Sequence, residues 1–309
     1  MEHFLSIIIP VYNEEENLEN LNTQIFKLLE GAGLKYEIIY VNDGSTDRSI
    51  HVLKELSVNE HVKIIDFTRN FGQTQALQAG IDVACGDVII PMDADLQNDP
   101  LDILKMLELY DKGFDIVSGW RKNRHDNIIR VIPSKIANSI ICALTGIKLH
   151  DFGCTLKIYN AKLLKKIRLY GELHRFIPVA VSIFGGGANF VEVEVNHHKR
   201  IHGKSKYNMT RTFRVILDLF TLVFFQRFID RPMYFFGGCS LILFLISLFV
   251  LILTLLNTSV FSFIISFITG CFFFGLAFLA LLIGLIADLL MRTYFESSGK
   301  KVYNIKEIL

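Results

Sequence analysis

Charge is missing from one long stretch of this chain. Between Pro232 and Ala287 there is no Asp, Glu, Lys, Arg or His, a run of 56 residues. A spanning helix needs roughly 20 apolar residues, so the run is long enough for two passes, and a purely soluble protein is excluded. A many-pass transporter or channel is disfavoured, because residues 1–231 carry 28 basic and 28 acidic side chains and read as a water-soluble domain. Cysteine is scarce: Cys85, Cys142, Cys154, Cys239 and Cys271 are scattered, odd in number and form no CxxC pair. Neither a disulfide framework nor a zinc site is expected, which suits a reducing compartment. Glycine-rich phosphate loops are also missing. Neither GxGxxG nor GxxxxGK[ST] stands at the strand–helix turns, which argues against a nicotinamide dehydrogenase and a P-loop NTPase. The N-terminus does not read as a signal peptide, since its apolar stretch Phe4 to Ile9 is short and runs into Asn13-Glu14-Glu15-Glu16.

The charge that is present is unevenly placed. Residues 1–196 carry 20 Lys/Arg and 26 Asp/Glu, whereas residues 197–231 carry eight basic and two acidic side chains. Positive charge thus gathers just before the apolar run, where each Lys or Arg gains roughly 1 kcal/mol near an anionic leaflet. Arg227 and Arg231 fit the rule that basic flanks stay cytoplasmic. The cluster from Lys199 to Lys206 is left over by that rule and suits phosphate binding.

Residues 1–120 alternate strand and helix patterns. Leu5 to Val11 is a β-rich run, followed by Leu18, Leu21, Ile25, Leu28 and Leu29 at helical spacing. Strands are predicted at 37–41, 62–67, 87–92 and 115–119, with helices over 47–56, 73–84 and 101–110. Short apolar strands separated by helices imply βαβ crossovers and a largely parallel sheet, with ligands beyond the carboxyl ends of the strands. Residues 121–196 are less regular, with a helix expected over 134–144 and a strand over 191–195. Thr212 to Phe228 reads as a helix lying in the membrane interface, with a buried core helix as the alternative. Spans are expected at about Met233–Leu256 and Phe261–Ala287, with a turn at Asn257-Thr258-Ser259 and both termini cytoplasmic.

The polar clusters fall at strand ends. Asp93-Ala94-Asp95 follows a strand directly, and carboxylates at i and i+2 there can converge on a hard divalent ion that bridges to phosphate. A carboxylate about 4 Å from a phosphate charge is repelled by ~4 kcal/mol at an effective dielectric of 20; a bound cation reverses the sign. Gln97 offers a further oxygen. Pro10-Val11-Tyr12-Asn13-Glu14 leaves the first strand, where Tyr12 suits packing on a nucleobase. Asn42-Asp43-Gly44-Ser45-Thr46-Asp47 leaves the second, where Asp43 suits hydrogen bonds from base or ribose and Asp47 is better read as a helix cap.

Together these loops resemble the family-2 glycosyltransferases, and further words point to the polyprenyl-phosphate branch. Those words are Asp95-Leu96-Gln97-Asn98-Asp99-Pro100, Gly119-Trp120-Arg121, Asp151-Phe152-Gly153-Cys154, His174-Arg175-Phe176-Ile177-Pro178 and Arg200 to Tyr207. The resemblance covers about residues 4–230. It implies an α/β GT-A fold and inverting transfer of a sugar from a nucleotide-diphosphate sugar to a polyprenyl phosphate. It implies that Pro10, Tyr12, Glu14 and Asp43 hold the nucleoside and that Asp93, Asp95 and Gln97 hold Mg²⁺ or Mn²⁺. It further implies that Arg121, Arg200 and Lys206 grip the donor diphosphate or the lipid phosphate, with Ser205, His174 and Arg175 beside them. Asp95, Arg121 and Asp151 are the catalytic candidates. Asp151 matches a proposed base, but a phosphate monoester has its second pKa near ~6 and needs little help from one; orienting an arginine or the sugar hydroxyls is the alternative. His174 suits a phosphate contact or a core position equally.

The expected organisation is a catalytic domain over 1–206, an interfacial helix over 207–231, two transmembrane helices within 232–289 and a cytoplasmic tail over 290–309, all at the cytoplasmic membrane. Membrane lipid is an expected partner, self-association is compatible and nucleic acid is not expected. A processive polysaccharide synthase would need a QxxRW motif and enough spans for a pore, and Gln226-Arg227-Phe228 does not match. A membrane-anchored transferase for a glycan or protein acceptor is the nearer alternative. A non-catalytic nucleotide-sugar scaffold would show a broken DxD, which here is intact.

Overall fold

The computed structural model describes residues 3–122, 145–169, 171–184, 188–198, 231–256 and 259–298, with Asn138, Ile141, Cys142, Phe220, Thr221, Phe224, Arg227 and Phe228 between them. The chain divides into two compact units, Met1–Phe220 and Thr221–Leu309.

The first unit opens with β1 (Phe4–Val11), α1 (Leu18–Gly31), β2 (Lys35–Asn42), α2 (Ser49–Leu56), β3 (Val62–Asp66), α3 (Gln73–Val83), β4 (Val88–Pro91) and α4 (Asp102–Tyr110). Then come β5 (Ile116–Trp120), β6 (Lys157–Asn160), α5 (Ala161–Leu164), a 3₁₀ turn at Leu173–Phe176, α6 (Ile177–Phe184) and β7 (Phe190–Glu194). The seven strands lie in the order β3-β2-β1-β4-β6-β5-β7. Neighbours are parallel except where β6 runs against β4 and β5.

The central strands β1 and β4 are almost wholly apolar and buried, as expected where both faces of a sheet are covered. On one face Leu5, Ile7, Ile9 and Val11 of β1 pack with Leu18, Leu21, Ile25 and Leu29 of α1, all buried. On the other, α3 lies against β1 and β2. Its approach depends on Gly80, where a Cβ would stand 2.3 Å from Ile8 Cγ2. The sheet order reverses at β1: β2 and β3 lie on one side, β4 on the other. A crevice at such a switch point, beyond the carboxyl ends of β1 and β4, is where open α/β sheets bind ligands.

The second unit contains α7 (Pro232–Thr254) and α8 (Val260–Ser298), antiparallel neighbours long and apolar enough to cross a membrane. At 1.5 Å per residue they are ~35 and ~58 Å long. The seam between them repeats every seven residues. Ser240, Ser247 and Thr254 recur on α7, and Gly270, Ala277 and Gly284 on α8. Ser247 Oγ donates to Gly270 O and Ser240 Oγ to Ala277 O, each at 2.8 Å. In lipid the hydrophobic effect does not drive helix association, so small residues and interhelical hydrogen bonds carry it. The second helix does not stop where the expected span ends at Ala287: α8 carries Asp288 into a helical extension that reaches Ser298.

Candidate active site

Two strand-end loops interlock. Asn13 takes a left-handed conformation (φ 56°), and its Oδ1 accepts the Thr46 N–H at 2.7 Å. Ser45 Oγ accepts the Asn13 N–H, Ser49 Oγ the Glu14 N–H, and Asp47 Oδ2 the Glu15 N–H. Asp47 Oδ1 also takes the Ser49 N–H at 2.9 Å, from one residue before Arg48, which occupies the N-cap position of α2 itself. Much of the Asp43–Asp47 word therefore shapes the loop that carries Tyr12 and Glu14. Glu14 Oε2 accepts the Asn17 side-chain amide at 2.7 Å, and Pro10 is fixed within β1.

Asp43 has a positioning role that the sequence did not suggest. Its carboxylate, 3% exposed, accepts the N–H groups of Phe71 and Gly72 at 2.6 and 2.9 Å. Burial pushes its pKa up, against those two donors. Asp43 thus staples the loop between β3 and α3 to the end of β2. Gly44, with φ +63°, is required beneath that loop, since a Cβ would stand 2.3 Å from the Arg69 carbonyl carbon.

The DxD loop follows β4. Asp93 Oδ1 accepts from the Gln73 amide at 2.9 Å and Oδ2 from Thr155 Oγ at 2.5 Å. One carboxylate thereby ties the start of α3 to the segment leading into β6. Asp95 is 7% exposed, and its Oδ1 accepts the Gln97 N–H. Between the two, Leu96 is left-handed (φ 59°), a conformation that costs a non-glycine residue about 1–2 kcal/mol. The turn sends Gln97 toward the 196–198 segment, where its amide nitrogen donates to His198 O at 3.4 Å and its carbonyl accepts the His198 N–H at 2.9 Å through the backbone. An isolated bridge pairs Asn98 with His197. The DxD loop is in this way stitched to the chain that enters the basic cluster.

Arg121, one residue past β5, meets Asp151 as a fork: Nε to Oδ2 at 2.8 Å and an η-nitrogen to Oδ1 at 3.1 Å. Burial opposes the guanidinium charge, but the hydrogen bond and field of Asp151 outweigh it and hold the Arg121 pKa above its ordinary value. Asp151 also accepts the Gly153 N–H at 3.0 Å. Glu192 of β7 accepts the N–H groups of His150 and Asp151 at 2.8 and 3.1 Å. Asp151 is therefore engaged as an orienting partner of Arg121.

His174, on the 3₁₀ turn, shares a 2.7 Å hydrogen bond with Thr74 of α3. Arg175 Nε lies 3.9 Å from Glu172. Arg200, Ser205 and Lys206 lie outside the described residues, as do most of the expected interfacial helix and of the helix over 134–144. Sequence reasoning missed Gln73, Thr155, Glu192 and Lys157. Only Lys157 carried a signal, a lone lysine in the otherwise apolar Leu156-Lys157-Ile158-Tyr159.

The family model "Glycosyl transferase family 2" matches residues 6–168. A relative from Rhizobium johnstonii, dodecaprenyl-phosphate galacturonate synthase, is 42% identical over 98% of this chain and 92% of its own length. The chain belongs to glycosyltransferase family 2. Solved structures of family-2-like shape agree on the fold alone. Mannosyl-3-phosphoglycerate synthase from Rubrobacter xylanophilus superposes with a TM-score of 0.58 at 16% identity, covering 72% of this chain and 74% of that one. Glucosyl-3-phosphoglycerate synthase from Mycobacterium tuberculosis, crystallised with Mn²⁺ and UDP, gives 0.54 at 16% identity, covering 72% and 80%. The fold of this glycosyltransferase is GT-A, followed by two apolar helices that suit a membrane.

Proposed function

We propose that this glycosyltransferase moves a sugar from a nucleotide-diphosphate sugar to the phosphate of a polyprenyl lipid, with inversion at the anomeric carbon. The observation that carries the reading is the 42% identity to a dodecaprenyl-phosphate galacturonate synthase across 98% of the chain, membrane helices included. Galacturonate is accordingly the first sugar to test. UDP, bound by the mycobacterial neighbour, is the first nucleotide.

The donor's nucleoside lies against Tyr12 and the interlocked loops around Pro10, Glu14 and Asp43. Its diphosphate lies toward Asp93 and Asp95. Two buried or half-buried carboxylates at a strand end are hard oxygen donors, which fit Mg²⁺ or Mn²⁺. No group of three His, Cys, Asp or Glu residues that could hold a metal occurs among the described residues. Asp93 and Asp95, with Gln97 nearby, would hold such an ion, and it would supply charge neutralisation on the diphosphate.

The acceptor phosphate is already a competent nucleophile near neutral pH, so the barrier is the meeting of two anions. Preorganised cations aimed at developing charge lower it. Arg121, fixed by Asp151, takes that role. Arg200 and Lys206, with Ser205, His174 and Arg175 in support, take the lipid phosphate. In this reading residues 1–206 are catalytic, 207–231 lie at the interface, 232–289 span the membrane twice and 290–309 return to the cytoplasm.

Membranes containing the enzyme, incubated with labelled UDP-galacturonate and other nucleotide sugars, should pass label into the organic phase, and EDTA should abolish the transfer. Label confined to water-soluble glycan or to protein would favour the alternative acceptor class. Full transfer in EDTA would remove the metal from the account.

A further inference from the structure

The turn from His150 to Cys154 is gripped by three neighbouring strands at once. In the sheet order β6-β5-β7, β5 leads into Arg121, whose guanidinium forks onto Asp151. β7 supplies Glu192, which accepts the His150 and Asp151 N–H groups. β6 supplies Lys157, whose ammonium donates to the carbonyls of Phe152, at 3.2 Å, and of Cys154.

Lys157 is the unusual member. It is 3% exposed, and in the sheet it stands opposite Ser118 of β5, whose buried hydroxyl has no hydrogen-bond partner among the described residues. Among the described residues no carboxylate forms an ion pair with it. The charged and titratable groups that face it are Cys154, Asp151, Arg121 and Glu192. Buried cations without a paired carboxylate are rare because desolvation opposes them, and burial pushes the pKa of Lys157 down. An apolar side chain would fill a mid-strand position without that cost. What the ammonium does there is bond two backbone carbonyls of the one turn that carries Asp151. The turn has little slack: a Cβ on Gly153 would stand 3.1 Å from the Arg121 η-nitrogen and 3.4 Å from Asp151 Oδ1.

We infer that Lys157 is a positioning residue: by holding the Phe152 and Cys154 carbonyls it fixes the turn that keeps Asp151 forked onto Arg121, and so sets the aim of the Arg121 guanidinium. Its action runs through Asp151 rather than through any contact with substrate. The inference rests on the transferase reading, which the parent enzyme's own turnover tests separately.

The test is a double-mutant cycle on the full-length protein in detergent, with UDP-galacturonate and polyprenyl phosphate, or whichever labelled nucleotide sugar the parent turns over. Lys157→Met keeps the length and removes the donors. It is expected to lower kcat at least tenfold while KM for the nucleotide sugar changes less than about threefold and the cooperative melt is retained. In an Asp151→Asn background the same substitution should change kcat less than twofold, because the residue through which Lys157 acts is already disabled. A merely structural lysine would lower kcat by the same factor in both backgrounds. Equal factors, a fully active Lys157→Met, or loss of the folded protein in both Lys157→Met and Lys157→Gln would each overturn the proposal. A parent enzyme inactive with every nucleotide sugar would instead sink the transferase reading.

Discussion

Asp93 and Asp95 lie two residues apart, yet their surroundings differ. Asp93 is held by the side chains of Gln73 and Thr155, whereas Asp95 accepts the Gln97 N–H across a left-handed Leu96. Asp95→Asn should lower turnover by orders of magnitude with an unchanged melting temperature. Asp93→Asn should do the same and also loosen the Gln73 and Thr155 contacts, costing about 1–3 kcal/mol, the range for leaving buried donors unmatched. Chemical denaturation of the two variants separates these effects, and equal stability losses would contradict the assignment. At the opposite end of the sheet, Glu37 gives a pH signature. Burial pushes its pKa up, but Lys63 at 2.7 Å, Ser6 and the Cys85 N–H outweigh burial, and the folded-state value lies below the ordinary 4.5. The unfolded chain then binds the proton more readily, so this contribution is fully present above 4.5 and is lost as pH falls through the folded value. Glu37→Gln should flatten that acid limb in urea midpoints measured from pH 6 downward. A limb of unchanged steepness would show that other carboxylates set it.

At the scale of elements, the α7–α8 seam makes a sharper forecast than hydropathy does. A Cβ at Gly284 would stand 2.8 Å from Phe236 Cβ and 2.9 Å from Met233 Sδ, whereas at Gly275 nothing lies within 4 Å. Gly284→Leu should therefore destabilise the hairpin by about 1–3 kcal/mol, the usual range for overpacking, and Gly275→Leu should not. Thermal melts in detergent decide it, and equal effects would dismiss the seam. The two apolar helices were legible because 56 residues without charge are long enough for a pair of them. Their pairing was not, since Ser240, Ser247 and Thr254 pass for ordinary small residues until Gly270 and Ala277 are seen opposite. The first four strands were legible to within a residue or two, because each holds a short run of Ile and Val between helical or turn-forming segments. β6 escaped notice because Lys157 and Asn160 break its pattern, and β6 is the antiparallel strand inserted between β4 and β5. The DxD and Asp43 loops announced themselves by residue type. That Asp43 would spend its hydrogen bonds on Phe71 and Gly72 depends on a contact 28 residues away that no local pattern encodes.

For the whole molecule, the uneven charge sets an orientation. Basic residues crowd the segment before α7 and recur after α8, while the tip between the spans is uncharged, so both ends should remain cytoplasmic. A cysteine introduced at Asn257 in an otherwise cysteine-free protein should react with an impermeant reagent in intact cells, and one at Lys300 only after permeabilisation. The reverse pattern would place the catalytic unit away from its nucleotide-sugar pool. Orientation also bears on the proposed acceptor, since a lipid phosphate whose tail stays in the bilayer would be met by the basic run that precedes the apolar helices in the sequence. A shaped phosphate site there distinguishes arginine from lysine, because the guanidinium fork pairs bidentately with phosphate. Arg200→Lys should therefore lower turnover clearly with membrane binding unchanged, and a fully active Arg200→Lys would reduce the cluster to an anchor. The most direct test of the central claim is the mass of the product. Purified enzyme given UDP-galacturonate, a divalent cation and dodecaprenyl phosphate should yield a lipid heavier by one hexuronosyl residue and linked through a single phosphate. A lipid of unchanged mass, with the sugar released to water or found on the protein instead, would contradict the account.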